Sequence, residues 1–428
     1  MNGHGHAAAV VLAAIFIAAP HAASGTELGD LAASMAPGEW RELSTEGFEG
    51  ILVPPGGEGA LLEYMDEALQ NPLTRKIYII GCARATGGSG SYVCDTTTAE
   101  DAGWIEYDEN TNAWRDMPPS PVSPGFHSYD HAAMDPATGD YYYREIDADA
   151  WKYAAETWTS IPRIAESEYE IPCCSGFEFF PELGGLVFID GPNKRFLTYR
   201  DGDSQWTETA MNVSTPVGEY HVFSEYSADR GILYFGGGVN DERGLYVMGE
   251  SLAPRRAAGS PVGLGHGGGG SIQTIDPQTG NLLVFAYRGS DPVDDPGSDP
   301  DADADYVYEY DPDADAWTRH GPHPLFTDNG WDLQAAAAPV EEHGVVFVAN
   351  YAFDSSRVYL YRHSPGQGEP PPDEPLPEVL TEPDAADAVE ADAVPDSGGD
   401  GDGGEGDEEG GGEGGDGCGC VVAGSPAG

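Results

Sequence analysis

Two eleven-residue stretches of this 428-residue chain can be laid over each other: WIEYDENTNAW, ending at Trp114, and VYEYDPDADAW, ending at Trp317. In each, a tyrosine inside an alternating apolar run is followed by a polar turn, with a tryptophan seven places on (Tyr107 to Trp114, Tyr310 to Trp317). Weaker copies occur in WKYAAETW, with Tyr153 and Trp158, and in FLTYRDGDSQW, with Tyr199 and Trp206. Around these lies a second shared element: an extended run, a turn with glycine, then an apolar strand. Its turn glycines are Gly139, Gly185, Gly231, Gly280 and Gly344, at spacings of 46, 46, 49 and 64.

A period near 46 residues, with about four short strands per unit, predicts the blades of a β-propeller rather than the turns of a solenoid. The strand chemistry agrees, with alternating Tyr, Val, Phe and Ile bounded by Asp-Pro, Gly and Asn turns. The long interval is accounted for by an insertion, SDPVDDPGSDPDADAD, in a hairpin of the fifth unit. The tyrosine–tryptophan element or its equivalent ends at Trp114, Trp158, Trp206, near Leu252 and at Trp317, whereas the last unit stops at RVYLYRHSP with no tryptophan after Tyr361. An orphan tryptophan stands at the front, Trp40 in PGEWRELST. A ring must pair its ends or expose a bare sheet edge. The expected fold is therefore all-β: a six-bladed β-propeller in which the N-terminal strand completes the last blade. Seven blades would need a further unit around residues 50–91, and a pair of β-sandwiches is the competing architecture.

Tyr and Trp separated by six residues, the diglycine of LYFGGG and the turn glycine resemble the kelch repeat, over roughly residues 40–363. The diglycine survives in one unit only, so the resemblance is to a degenerate kelch-like, galactose-oxidase-central-domain-like propeller. Extended to chemistry, it would imply a copper site of two tyrosines and two histidines, one tyrosine cross-linked to a cysteine. The C-terminal β-domain that supplies a ligand in that family is replaced here by an acidic segment.

The chain ends set its expected location. Residues 1–24 read as a signal peptide: the apolar run from Ala7 to Ala19 is too short to span a bilayer, and Ala22 and Ser24 stand at −3 and −1 before Gly25. The propeller is expected over residues 25–365. Residues 366–417 form a Pro-, Gly- and carboxylate-rich stalk with 18 acidic residues and no Lys or Arg. Such a segment buries too little apolar surface to order itself and is expected to be disordered and extended. It runs into residues 418–428, where Cys418 and Cys420 resemble the cysteine of the myxobacterial C-terminal sorting signal called MYXO-CTERM. That resemblance implies lipid anchoring at the outer cell surface, although the hydrophobic span and trailing arginines of the family are missing. With 19 basic against 74 acidic residues the formal charge is −55, which excludes nucleic acid and anionic lipid as partners. The outer membrane is expected to be touched only through the C-terminal anchor.

Ligands of propellers bind among loops at one mouth of the channel. Those loops bring in His127, Tyr129, Asp130, His131, Tyr220, His221, His266, Trp331 and Asp332. Four histidines near one rim suit a metal, though none has helical metal-motif spacing. Asp299, Asp301, Asp303 and Asp305 alternate along one side of an extended loop and make calcium the candidate cofactor, without the EF-hand pattern. In an oxidising compartment Cys82 and Cys94 are expected to close a disulfide loop, while the adjacent Cys173 and Cys174 are either bonded to each other or two small buried residues. No nucleophile elbow, phosphate loop or dinucleotide fingerprint occurs. The expected role is a surface binding module for an extracellular glycan or protein; the alternative is an extracellular oxidase or glycan lyase or hydrolase using the histidine rim.

Overall fold

A computed structural model describes residues 25–363 apart from 53–60, 63–64, 66, 82–102, 119, 122–127, 129, 145–148, 165–174, 214–216, 219–220, 239–242, 266–270, 287–305, 326–333 and 353–354. The signal segment, the six cysteines, the acidic stalk and the sorting-like segment lie outside the described residues.

The strands form six four-stranded antiparallel sheets. A short N-terminal strand, β1 (Glu39–Glu42), precedes the first blade, which contains β2 (Leu69–Asn71), β3 (Lys76–Gly81), β4 (Gly103–Asp108) and β5 (Ala113–Asp116). Blade two has β6 (Ala132–Met134), β7 (Tyr141–Arg144), β8 (Ala150–Ala154) and β9 (Thr157–Ile161). Blade three has β10 (Phe177–Phe180), β11 (Gly185–Asp190), β12 (Arg195–Tyr199) and β13 (Thr207–Ala210). Blade four has β14 (Val222–Ser227), β15 (Ile232–Gly237), β16 (Leu245–Met248) and β17 (Arg255–Arg256). Blade five has β18 (Ile272–Ile275), β19 (Leu282–Phe285), β20 (Tyr306–Asp311) and β21 (Ala316–Pro322). Blade six has β22 (Ala335–Val340), β23 (Val345–Ala352) and β24 (Ser355–Arg362), and its outer strand is β1.

Each blade's first strand packs on the next: β2 on β6, then β10, β14, β18 and β22, and β22 returns to β2. The ring is a closed six-bladed propeller, as the repeat predicts. Its core lies in the seams, with one apolar cluster between each pair of neighbouring blades. Both faces of an inner strand are therefore covered, which explains why GLVFID in β11 is buried at every residue. The outermost strands, such as β9 and β13, are mostly exposed and polar.

The repeated phrase is the third strand, hairpin turn and outer strand of a blade. Tyr107 pairs with Trp114, Tyr153 with Trp158 and Tyr310 with Trp317. The indole then reaches back to the segment leaving the preceding blade. Trp114 Nε1 donates to Thr45 Oγ1 (3.0 Å), Trp206 Nε1 to the Pro162 carbonyl (2.7 Å) and Trp317 Nε1 to the Ala258 carbonyl (3.0 Å). A ring on the hairpin thus packs its own blade and pins its neighbour.

Three local details differ from the sequence expectation. In blade three the left-handed turn residue is Gly184 (φ 65°), and Gly185 opens the strand. Blade one makes the same turn with Arg75 (φ 58°), whose N–H bonds the Asn71 carbonyl (2.9 Å). Its first two strands fill the region where a seventh unit would have been sought. Blade four's outer strand lies at Arg255–Arg256, past Leu252, and it carries cations where other blades carry tryptophan.

Closure follows the predicted pairing: Glu39 lies opposite Arg362, Trp40 opposite Tyr361, Arg41 opposite Leu360 and Glu42 opposite Tyr359. Trp40 stacks on Tyr361 (centroids 4.5 Å) and meets Phe285 of blade five edge-on (5.2 Å). Before it, helix α1 (Glu27–Ser34) is capped by Thr26 Oγ1, which accepts from the Gly29 N–H (3.0 Å). The Thr26 hydroxyl donates to Glu109 of blade one (2.6 Å), and Arg362 donates to the Ala32 carbonyl at the far end of the helix (2.8 Å). After the closing strand, Glu46 bridges to Ala113. Trp40→Ala is expected to lower unfolding stability by about 2–3 kcal/mol, because the ring of a half-buried tryptophan is lost from its cluster. Denaturant midpoints at constant slope test this; a loss of a few tenths of a kcal/mol would show that Trp40 does not hold the ring.

Candidate functional site

One end of the wheel carries the turns that join the first strand to the second and the third to the fourth within each blade. The other carries the segments that lead from each blade into the next inner strand, where the sequence placed its candidate rim. Of those candidates, His127, Tyr129, Tyr220, His266, Trp331 and Asp332 lie outside the described residues, as do Asp299, Asp301, Asp303 and Asp305. Asp130, His131 and His221 are described. Asp130 and His131 lead into β6 and His221 leads into β14, and all three are buried. Asp130 Oδ2 accepts a hydrogen bond from Ser224 Oγ (2.6 Å), tying blade two to blade four. The His131 carbonyl accepts from the Arg144 N–H (2.9 Å), and the buried Arg144 guanidinium donates to the Ser175 carbonyl of blade three (3.2 Å). The His221 backbone is left-handed (φ 59°).

Further along the channel wall, Glu178 of β10 turns its carboxyl toward the free edge of the next inner strand. Its two oxygens accept from the N–H groups of Phe179 (2.7 Å) and Tyr226 (3.2 Å). Burial nevertheless dominates and pushes this carboxyl up to about 8, which favours its protonated form.

A second cluster, which the sequence reading missed, lies in the seam between blades five and six. Glu309 on β20 and His320 on β21 share a face of the outer hairpin, and His363 follows β24 directly. His320 Nε2 lies 2.9 Å from Glu309 Oε2, and His363 Nε2 lies 3.2 Å from the same oxygen. The two imidazoles meet edge-to-face with centroids 4.5 Å apart. The side chains of Glu309, His320 and His363 are 5%, 6% and 0% exposed, so the group is shielded from solvent. Asn281 Nδ2 donates to the other carboxylate oxygen, Oε1 (2.5 Å), and Arg230 fixes the orientation of that amide by donating to its Oδ1 (2.5 Å). Tyr361 OH contacts His363 Nδ1 (3.1 Å). Burial opposes ionisation of Glu309, but the contacts with His320, His363 and Asn281 outweigh it and hold the carboxyl well below the usual range.

The same position in the repeat exists in blade one, where Glu106 occupies the place of Glu309 in the opening phrase. It too is buried, at 1% exposure, but its partners are a lysine and an arginine: Lys76 Nζ at 2.8 Å and Arg115 Nε at 2.7 Å. The duplicated glutamate with dissimilar neighbours was a usable sequence signal.

No protein-family model matches the chain, and no curated protein matches it. Solved structures with a similar course include a protein of unknown function from Bacteroides thetaiotaomicron (12% identity, 77% of this chain and 73% of that one, TM-score 0.45). A fungal alcohol oxidase of the AA5 family, in complex with copper, matches at 12% identity over 77% of each chain (TM-score 0.43). A streptogramin B lyase matches at 11% identity over 75% of this chain and 97% of that one (TM-score 0.40). At these identities and scores none of them assigns this chain a reaction or a ligand.

The channel wall yields a pH prediction. A carboxyl raised above its unfolded value near ~4.3 favours the folded state below that value, and this contribution is lost as the pH climbs toward 8. Wild-type stability is therefore expected to fall between about pH 5 and 8 relative to Glu178→Gln, which keeps the shape without the titration. Denaturant midpoints across that range check it; parallel profiles would mean that Glu178 is ionised throughout.

Proposed function

We propose that this chain is an exported, surface-tethered propeller of degenerate kelch-like type that binds an extracellular glycan or a neighbouring surface protein. The observation that supports this reading best is the construction of the channel mouth. Its base is a ring of inner strands braced by buried cross-blade hydrogen bonds, Asp130 to Ser224 and Arg144 to Ser175. The sequence assigns Tyr129, Tyr220, His266, Trp331 and Asp332 to the segments that join one blade to the next. Binding residues on loops set on a rigid scaffold lose little freedom when a partner docks. Charge narrows the partner further. With 18 of the 74 acidic residues in the stalk, 56 remain against all 19 basic ones in the propeller. An anionic partner is repelled, and a neutral or cationic one is favoured.

The acidic composition of residues 366–417 and the MYXO-CTERM-like cysteines support a tether at the outer cell surface. Among the described residues no helix is long and apolar enough to cross a membrane.

The test is retention of the full-length protein on a panel of neutral and amino-sugar polysaccharides and, separately, on envelope proteins. Saturable binding to one class is expected. Trp331→Ala should weaken it at least about tenfold, as loss of an aromatic anchor does, with the melting temperature unchanged. Absence of retention on both panels, or binding indifferent to Trp331, would sink the proposal. Turnover of a panel polysaccharide would replace it with the enzymatic reading.

A further inference from the structure

We propose that Glu309 Oε2, His320 Nε2 and His363 Nε2 bind one divalent transition-metal ion of the zinc class, which clamps the outer hairpin of blade five to the end of β24. The three ligand atoms lie within 4.8 Å of one another on buried side chains. A tetrahedral ion at ~2.0–2.1 Å from each ligand separates them by about 3.3 Å. The two carboxylate–imidazole distances, 2.9 and 3.2 Å, are already near that spacing.

Three further observations favour an ion over a plain polar cluster. First, His363 Nε2 is buried and approaches Glu309 Oε2 to 3.2 Å, yet makes no hydrogen bond of acceptable geometry. His320 Nε2 approaches the same oxygen to 2.9 Å, so both ring nitrogens gather at Oε2. Second, a buried carboxylate needs a counter-charge. In blade one Lys76 and Arg115 supply it to Glu106. Blade five puts the neutral amide of Asn281 where Lys76 stands and Thr318 where Arg115 stands, so a bound dication restores the balance that blade one achieves with side chains. Third, the surroundings orient the ligands. An Nδ1–H of His363 donating to the Tyr361 oxygen leaves Nε2 bare for a metal, and Asn281 occupies Oε1 so that Oε2 faces the imidazoles. Two imidazoles and one carboxylate suit zinc, cobalt, nickel or copper and are a poor set for calcium or magnesium.

The experiment uses the full-length protein, stripped with EDTA and dialysed, then titrated with Co²⁺. One equivalent is expected to give visible d–d bands of tetrahedral intensity, which one equivalent of Zn²⁺ abolishes. Zn²⁺ at about a hundredfold excess over its dissociation constant should raise the melting temperature by roughly 5 °C, and Ca²⁺ at the same concentration should not. His363→Gln and His320→Gln should each weaken Co²⁺ binding at least about a hundredfold and cancel the Zn²⁺ shift. Absence of bands in the wild type overturns the proposal whether or not the variants fold. Bands that persist in both variants, or an equal shift with Ca²⁺, overturn it too, because binding then lies with the acidic stalk or the cysteines. Retention on glycans or proteins plays no part in this readout, so it stands or falls apart from the binding-module reading.

Discussion

The structure depends on four residues of β1 lying antiparallel to β24. A propeller has no central core; its apolar surface lies between blades, and each blade is buried only because it has a neighbour on both sides. A ring that opened at one seam would expose two blade faces and leave blade six without its outer strand. The Trp40–Tyr361 pair closes that seam with the same chemistry the other blades use internally, an outer-strand tryptophan across from a third-strand tyrosine. The strap does not stop there. Thr45, three residues past the strand, accepts the Trp114 indole of blade one, and helix α1 joins Glu109 of blade one to Arg362 of blade six. A single N-terminal segment therefore holds both sides of the joint.

What was legible in the sequence was what is local and repeated. Tyr310 and Trp317 face each other across a hairpin, so a fixed spacing of seven records their contact. Gly139, Gly231, Gly280 and Gly344 mark one left-handed turn per unit because φ near +60 to +75° favours glycine. Where the same turn was made by Arg75, or the outer strand by Arg255 and Arg256 without an aromatic, the unit was hard to see although its backbone is the same. The Glu309 cluster was hidden for another reason. Its members lie 11 and 43 residues apart along the chain and meet only because His363 ends the strand that the closure leaves central. The histidines His131 and His221 were read as rim residues from loop context. The structure buries them, each immediately before the first strand of its blade.

Glu106 and Glu309 show how a repeat diverges under a constraint. Packing fixes the tyrosine and the tryptophan of the phrase, and the residue before the tyrosine faces the opposite seam. In both blades that residue is a carboxylate removed from water, which is costly unless compensated. Blade one compensates with Lys76 and Arg115, both ion-paired to the same carboxylate. Blade five surrounds its carboxylate with the Asn281 amide and the imidazoles of His320 and His363. Related sequence phrases thus lead to an ion-paired glutamate in one blade and a glutamate among imidazoles in the other. The difference comes from residues outside the phrase.

Closure by an N-terminal strand also decides how the wheel bears load. Were the last strand the outermost one, tension on the chain beyond it would peel an edge, breaking one hydrogen bond at a time. Here the chain leaves after His363 from β24, which is paired along its length with β23 on one side and over Glu39–Glu42 on the other. Tension applied there must disrupt two ladders together, along with the Trp40 stack and the Arg362 bonds to Ala32 and His343. A propeller held by its C-terminal side gains most from this arrangement, and the seam cluster at His363 lies at the point where the force would enter. An ion bound by Glu309, His320 and His363 would transfer part of that force to blade five, away from the strand that closes the ring.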